Sequence, residues 1–235
     1  MYSDRNVPGI FQYTIDNSPW IEMPDADWSL LTRSLAPKIY EKGSVIYDQE
    51  SSQSPASVFL VKAGRIRMDI YNHTGDCKSL YVAGPGTIFG EISPLDHLPN
   101  ICCASASIRS EVYHIPQARF LEVIETDRQC ALNVMQIMAR KTRLMANSIK
   151  QLAFDHSTAR VAFALTNLAR QYARETPEGV QLTMKFTHQE MADLTGLSRV
   201  SVSNIFIQLT NKNILSKNNG YLVIRDMDAL YRCLM

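Results

Sequence analysis

The spacing of apolar and polar positions changes character along the chain. Between Lys38 and about His114, apolar, β-branched and aromatic residues come in short runs (KIYEKGSVIY, VFLVKAGRIRMDIY, CKSLYVAG, GTIFGEI, ASIRSEVYHI) separated by Gly, Pro, Asn and Asp. Short strands at that spacing predict an antiparallel barrel or sandwich, with Gly43, Gly64, Gly75 and Gly86 at its turns. A short amphipathic stretch before it, DADWSLLTRSL, reads as helix. From Pro116 the period lengthens: PQARFLEVIE starts a helical region, with proline suited to a first turn. The most regular pattern follows. Ala131, Met135, Met138, Thr142, Met145, Ile149 and Leu152 alternate spacings of four and three, the seam of a coiled coil. A seam this narrow suits a partner helix, and a parallel homodimer is the simplest way to supply one.

Around Phe154-Asp155-His156-Ser157 the pattern breaks, and short polar residues able to cap a helix precede TARVAFALTNLARQY. TPEGVQLTMKF then reads as a turn and a short strand. Thr187-His188-Gln189-Glu190 has the form of a capping box, with Met191 and Leu194 as the buried stripe of the helix it starts. Gly196 falls at a tight turn, Leu197 can plug the angle between helices, and Ser198 caps a second helix running to about Asn211. A helix, a short turn with glycine and another helix make a helix–turn–helix, and strands around ILSKN and GYLVIRD would close a wing after it. Val202, Ile205 and Leu209 face inward on the second helix, which turns Arg199, Val200, Ser203 and Asn204 outward.

That outer face is sized for a DNA major groove. Arg199 would pair two-fold with guanine, Val200 would pack on a thymine methyl, Ser201 or Ser203 would bond a phosphate or a base, and Asn204 would read adenine or hold a phosphate. With the cap residues Thr187 and Ser198, these form the expected DNA-facing set. Charge adds a little: the net charge is +1 overall, but residues 155–235 hold 9 basic and 7 acidic side chains.

Composition is that of a globular protein, 46% hydrophobic and 20% charged. The first residues, MYSDRNVPGIFQYTIDN, lack the basic-then-apolar form of a secretory signal, and no apolar run approaches a membrane span. Five cysteines with no CxxC spacing predict a reduced, cytoplasmic protein, with Cys102 and Cys103 as small buried filler. GxSxG, HExxH and P-loop patterns are absent, and GPGTIFGE lacks the spacing of a dinucleotide fingerprint, so no enzyme is expected.

These features in order resemble the CRP/FNR transcription regulators over roughly residues 36 to 230. The likeness rests on the glycine-punctuated β-roll, GxxFGE (Gly86, Phe89, Gly90, Glu91), IMARKTRLMANSIKQLAF, TARVAFALTNLA, and the run from Thr176 to Asn204. The resemblance implies an α+β chain: an effector-sensing roll (1–125), a long dimerisation helix (126–154) and a winged helix–turn–helix (155–235). It also implies a homodimer on palindromic double-stranded DNA, a small-molecule effector, RNA polymerase as a partner and action as an activator. The expected dimer contacts are Met135, Met138, Thr142, Met145, Ile149 and Leu152.

Departures from the family pattern narrow the effector. Cyclic-AMP members hold the phosphate with an Arg-Ser pair where this chain has Ile101 and Cys102, and contact adenine from positions that are Met145 and Ala146 here. The fixed charge that would face a phosphate is missing. The oxygen-sensing branch uses an N-terminal cysteine cluster for its iron–sulfur centre, and residues 1–76 contain no cysteine. His73, His97 and His114 are each single, as surface or hydrogen-bonded histidines usually are, so no haem or other cofactor is predicted. The chain is similar in character to the CprK-type branch, which binds chlorinated phenolic acids. Tyr81 matches a tyrosine on the phenol oxygen there, and Lys141 a lysine that stabilises the phenolate. Glu91 departs, standing where that branch carries a basic residue. The expected effector set is Tyr81, Gly90, Glu91 and Lys141. A redox, haem or gas, or thiol signal, or no ligand at all, remains open beside the phenolic acid. In the reading helix, Val200 and Asn204 replace a glutamate and an arginine of the parent pattern, which points to a palindrome richer in A and T.

Overall fold

The computed structural model describes residues 18–51 and 57–234, which form two compact units divided within one long helix, between Ala146 and Asn147. The expected boundaries lie at 125 and 154, whereas the long helix is shared between the two units.

The N-terminal unit holds two sheets. One runs β1 (Trp20–Ile21), β6 (Cys77–Ala83), β5 (Ile66–Tyr71), β8 (Cys103–Ala106), β3 (Val45–Tyr47). The other runs β2 (Lys38–Tyr40), β9 (Ser110–Pro116), β4 (Ser57–Ala63), β7 (Ile88–Phe89). Among the described residues every pairing is antiparallel except β1 on β6, where Trp20 lies opposite Val82. Alternation along the strands sends Tyr40, Tyr47, Phe59, Val61, Met68, Tyr81, Phe89 and Ala104 into one core. Side chains on β4 and β9 that point the other way, Val58, Leu60 and Ile115, meet Trp28, Leu31, Phe120, Val123, Val134 and Ile137 from the helices. The expected N-terminal helix is a single turn, α1 (Ser29–Thr32), started by the Asp27 carboxylate accepting from the Ser29 amide at 2.9 Å. Helices α2 (Ile92–Asp96) and α3 (Gln117–Thr126) follow; Pro116 precedes α3 and closes β9. The glycines assigned to turns, at 43, 64, 75 and 86, all have positive φ.

Helix α4 (Arg128–Phe154) carries two apolar stripes, each with the same four-three spacing. Cys130, Val134, Ile137, Lys141 and Leu144 are buried in the N-terminal unit. Met135, Met138, Thr142, Ile149 and Leu152 are exposed, Met135 at 63% and Ile149 at 68%. Met145, expected in the exposed stripe, is half-buried and packs on the sheet core.

In the C-terminal unit, α5 (Ser157–Tyr172) buries Ala159, Val161, Ala162, Leu165 and Leu168. His156 stands at its N-cap with no side-chain cap bond, so the polar break ends one helix without the expected cap on the next. The sheet order is β10 (Ala173–Thr176), β11 (Gly179–Leu182), β13 (Tyr221–Ile224), β12 (Leu215–Asn218), all antiparallel. The expected single strand before the helix–turn–helix is therefore a hairpin. Helices α6 (His188–Thr195), α7 (Arg199–Asn211) and α8 (Met227–Arg232) complete the unit.

Candidate functional site

Thr187 at the N-cap of α6 accepts from the Glu190 amide at 3.1 Å, and the Glu190 carboxylate accepts from the Thr187 amide at 2.8 Å. Two orphan donors are thereby satisfied and the start of the helix is fixed. Met191, Ala192, Asp193 and Thr195 are buried; Leu194, expected in the stripe, is only half-buried because the helix turns its 191–195 edge inward instead. Gly196 then takes a left-handed conformation, φ 65°, which a Cβ would strain, and its amide returns to the Ala192 carbonyl. Arg160 of α5 donates to the Thr195 carbonyl at 3.2 Å, so the turn is held from behind.

Ser198 caps α7 by accepting from the Ser201 amide at 3.0 Å. Val202, Ile205, Phe206 and Leu209 pack inward. Arg199, Val200 and Asn204 are exposed, Val200 at 70%. Ser201 and Ser203 are half-buried. The Ser203 hydroxyl donates to the Arg199 carbonyl at 2.9 Å and lies 2.7 Å from His188 Nδ1, so it ties α7 to α6 as well as edging the outer face. His188 also stands edge-on to Phe206, ring centroids 5.0 Å apart. Burial holds its pKa below the ordinary value, with the charges of Lys217 on β12 and Arg199 on α7 adding to the effect. On the wing side, the Lys185 ammonium sits 5.1 Å from the Tyr221 ring centroid.

The second cluster lies in the N-terminal unit. Gly90 (φ 72°) follows β7 where a Cβ would come within 2.8 Å of the Phe59 ring, and the next residue, Glu91, is almost wholly buried. The Lys141 ammonium donates to Glu91 Oε1 at 2.7 Å, to Glu91 Oε2 at 2.9 Å and to the Ile88 carbonyl at 2.9 Å. A lysine has three protons to donate, and all three are engaged. The same ammonium lies 5.1 Å from the centroid of the Tyr81 ring. Burial, then the charge of Glu91, holds the Tyr81 hydroxyl well above the ordinary tyrosine range, so it is a neutral donor. The Tyr47 ring lies tilted against Phe59, centroids 5.5 Å apart, and its hydroxyl reaches Met68 Sδ at 3.6 Å. Burial pushes the Cys102 and Cys103 thiols up to about 11, which keeps them protonated and poorly nucleophilic at neutral pH.

Two family descriptions match this chain: a cyclic nucleotide-binding domain over residues 37–127 and a Crp-like helix-turn-helix domain over residues 159–233. The chain belongs to the CRP/FNR family of transcription regulators. Among its relatives is the cyclic AMP receptor protein of Thermus thermophilus, 28% identical over 193 residues, covering 82% of this chain and 85% of that one. A solved CooA mutant from Carboxydothermus hydrogenoformans shares the fold with a TM-score of 0.74 at 19% identity, over 91% of this chain and 97% of that one. CprK complexed with OCPA does so with a TM-score of 0.69 at 19% identity, over 91% and 99%.

Within this CRP/FNR chain, the expected set divides by exposure: Thr187, Ser198, Arg199, Val200 and Asn204 are exposed, and Ser201 and Ser203 are half-buried. Tyr81, the adjacent Gly90 and Glu91, and Lys141 come together from three points of the sequence. Lys141 points inward on the buried stripe of α4. Ile101 is exposed and Cys102 buried. His114 bonds the Tyr40 hydroxyl at 2.7 Å and packs edge-on to Phe59, so its ring is occupied by its neighbours. Among the described residues no helix is long and apolar enough to cross a membrane. Three contributors went unrecognised in the residue pattern. Arg160 and His188 act across helices, which local spacing does not reveal. Ile207, 58% exposed and two turns beyond Val200 on the same face, breaks the polar outer face and was the visible signal.

Proposed function

We propose that the chain is a cytoplasmic, homodimeric, sequence-specific DNA-binding regulator that reads a palindrome with α7 and recruits RNA polymerase as an activator. The observation that carries this reading is the pairing of a capped, rigidly held helix–turn–helix with an outward Arg199, Val200 and Asn204. The exposed stripe of Met135, Met138, Thr142, Ile149 and Leu152 supports a second copy along α4. With an apolar Val200 foremost, the target half-site is richer in A and T than one read by an acidic residue. Titrating a labelled duplex at several salt concentrations tests the reading: binding weakens linearly in log–log form as salt rises, because neutralised phosphates release counterions. Salt-independent or absent binding contradicts it.

The effector proposed is a small phenolic acid, with Tyr81 and Lys141 at its oxygen. Gly90 and Glu91 form the turn beneath it. A cation beside a neutral phenol donor favours an ionised phenol. In the structure Glu91 already neutralises Lys141, so a bound phenolate has to displace that carboxylate. Ligand binding shifts the equilibrium between two poses of α4 only through its differential affinity for them. Thermal-shift measurement against chlorinated phenols and cyclic AMP tests this. A rise with phenols that disappears in Lys141→Ala supports it, and a response to cyclic AMP overturns it. The satisfied state of Lys141 favours one alternative, a regulator that binds DNA without any ligand.

A further inference from the structure

Helix α7, the second helix of the matched helix-turn-helix domain, has a single charged side chain, Arg199 at its start, and the next cation, Lys212, stands just beyond its end. Val202, Ile205, Phe206 and Leu209 go to the core, and the Ser203 hydroxyl is tied to the Arg199 carbonyl. Beyond Arg199 the exposed positions are Val200, Asn204, Ile207, Gln208, Thr210 and Asn211, all uncharged. At about 100° per residue, Val200, Asn204 and Ile207 fall within about 60° of one another and form one outward stripe. Its two aliphatic groups lie open to water, at 70% for Val200 and 58% for Ile207, although the inward face of the same helix is fully supplied with apolar residues.

A helix that crosses the phosphate ridge with its second half needs cations there, because those contacts are electrostatic. α7 has none before Lys212. Its second half carries instead what a base edge asks for: an aliphatic group for a methyl, and amides that both donate and accept.

We propose that α7 lies along the major groove for two turns rather than entering by its tip, and that Ile207 is a second specificity-determining residue, packing on a thymine methyl deeper along the half-site than the one met by Val200. The proposal rests on the DNA-binding reading above and extends it along the helix. Seven residues at about 1.5 Å each separate the two side chains by about 10.5 Å along the axis. Base pairs rise by about 3.4 Å and the groove winds as it rises, so this length spans about two to three of them. Asn204 then faces the interval between the two thymines.

The test is a scan of the palindrome that the wild type recovers from a random duplex pool. Each thymine is replaced in turn by uracil, which keeps every base-pair hydrogen bond and loses only the methyl. Dissociation constants are measured at fixed salt for the wild type, Val200→Ala and Ile207→Ala. Burying one methyl contributes about fourfold in affinity. The wild type should therefore weaken by about fourfold per half-site at each of two thymines, about two to three base pairs apart. Val200→Ala should bind the thymine and uracil forms equally at one of these positions, and Ile207→Ala at the other. Ile207 lies on the exposed face, so Ile207→Ala should keep the wild-type melting temperature. Its slope of log affinity against log salt should also stay unchanged, since no phosphate contact is lost. One sensitive thymine per half-site, equal sensitivity of the wild type and Ile207→Ala at every position, or a changed salt slope in Ile207→Ala overturns the proposal and leaves DNA binding by the first turn of α7 intact. A wild type that recovers no site and binds no duplex instead overturns the DNA-binding reading itself.

Discussion

At the scale of single residues, the Lys141–Glu91 pair decides most. Both side chains are nearly inaccessible, at 8% and 2% exposure, and they pair with each other at 2.7 Å. Removing one leaves an uncompensated charge in the core. Lys141→Met should therefore cost about 3–5 kcal/mol in urea unfolding, whereas adding Glu91→Leu to it should recover most of that loss. A small loss in the single variant would mean that water reaches Glu91. His114 makes the fold sensitive to acid. Burial, with Lys38 as the lesser cause, holds its pKa below the ordinary 6.5, so the folded state binds fewer protons than the unfolded one just below that value. The contribution of neutral His114 is present above pH 6.5 and is lost as pH falls below it. The melting temperature should drop on acidification in the wild type and less steeply in His114→Gln.

At the scale of elements, the caps make α6 and α7 rigid enough to present a surface. Thr187→Ala should cost about 1 kcal/mol, read as an earlier unfolding of the C-terminal unit, and should weaken duplex binding in step. The helix–turn–helix was legible beforehand because each of its signals is local: Thr187 and Glu190 lie three apart, and Gly196 and Ser198 mark the turn and the next cap. The long helix was only half legible. Its two stripes share one spacing, and nothing in residue types alone says which is buried in the chain's own unit and which is left outside. The Met135–Leu152 stripe was assigned to a partner, and the inward stripe that carries Lys141 was not recognised as a second face of the same helix. The roll's strands were visible from alternation and turns, but the meeting of β6, β7 and α4 at Tyr81, Glu91 and Lys141 depends on long-range pairing that no local pattern records. Resemblance to a family supplied that grouping in advance. It did not supply the neutralisation of Lys141 by Glu91, which follows from packing.

At the scale of the whole molecule, one chain carries a β-roll, an exposed apolar stripe along α4 and a winged helix–turn–helix. Placing charges on the exposed stripe should separate the protomers: Met135→Glu with Ile149→Glu is expected to give a monomer by sedimentation velocity, with the fold of each unit unchanged by circular dichroism. Binding to a two-fold duplex should then fall far more than binding to a single half-site, since linked half-sites act at high effective concentration. An unchanged dimer would place the interface elsewhere. The central claim, that α7 reads DNA as one of a symmetric pair, is tested most directly by selecting duplexes from a random pool with the wild type and with Arg199→Ala. The wild type should enrich an A/T-rich palindrome whose half-sites are about one helical turn apart, 10–10.5 base pairs or a multiple, and Arg199→Ala should lose the preference for one base pair in each half. A pool that remains random, or a site identical for both proteins, would contradict the account.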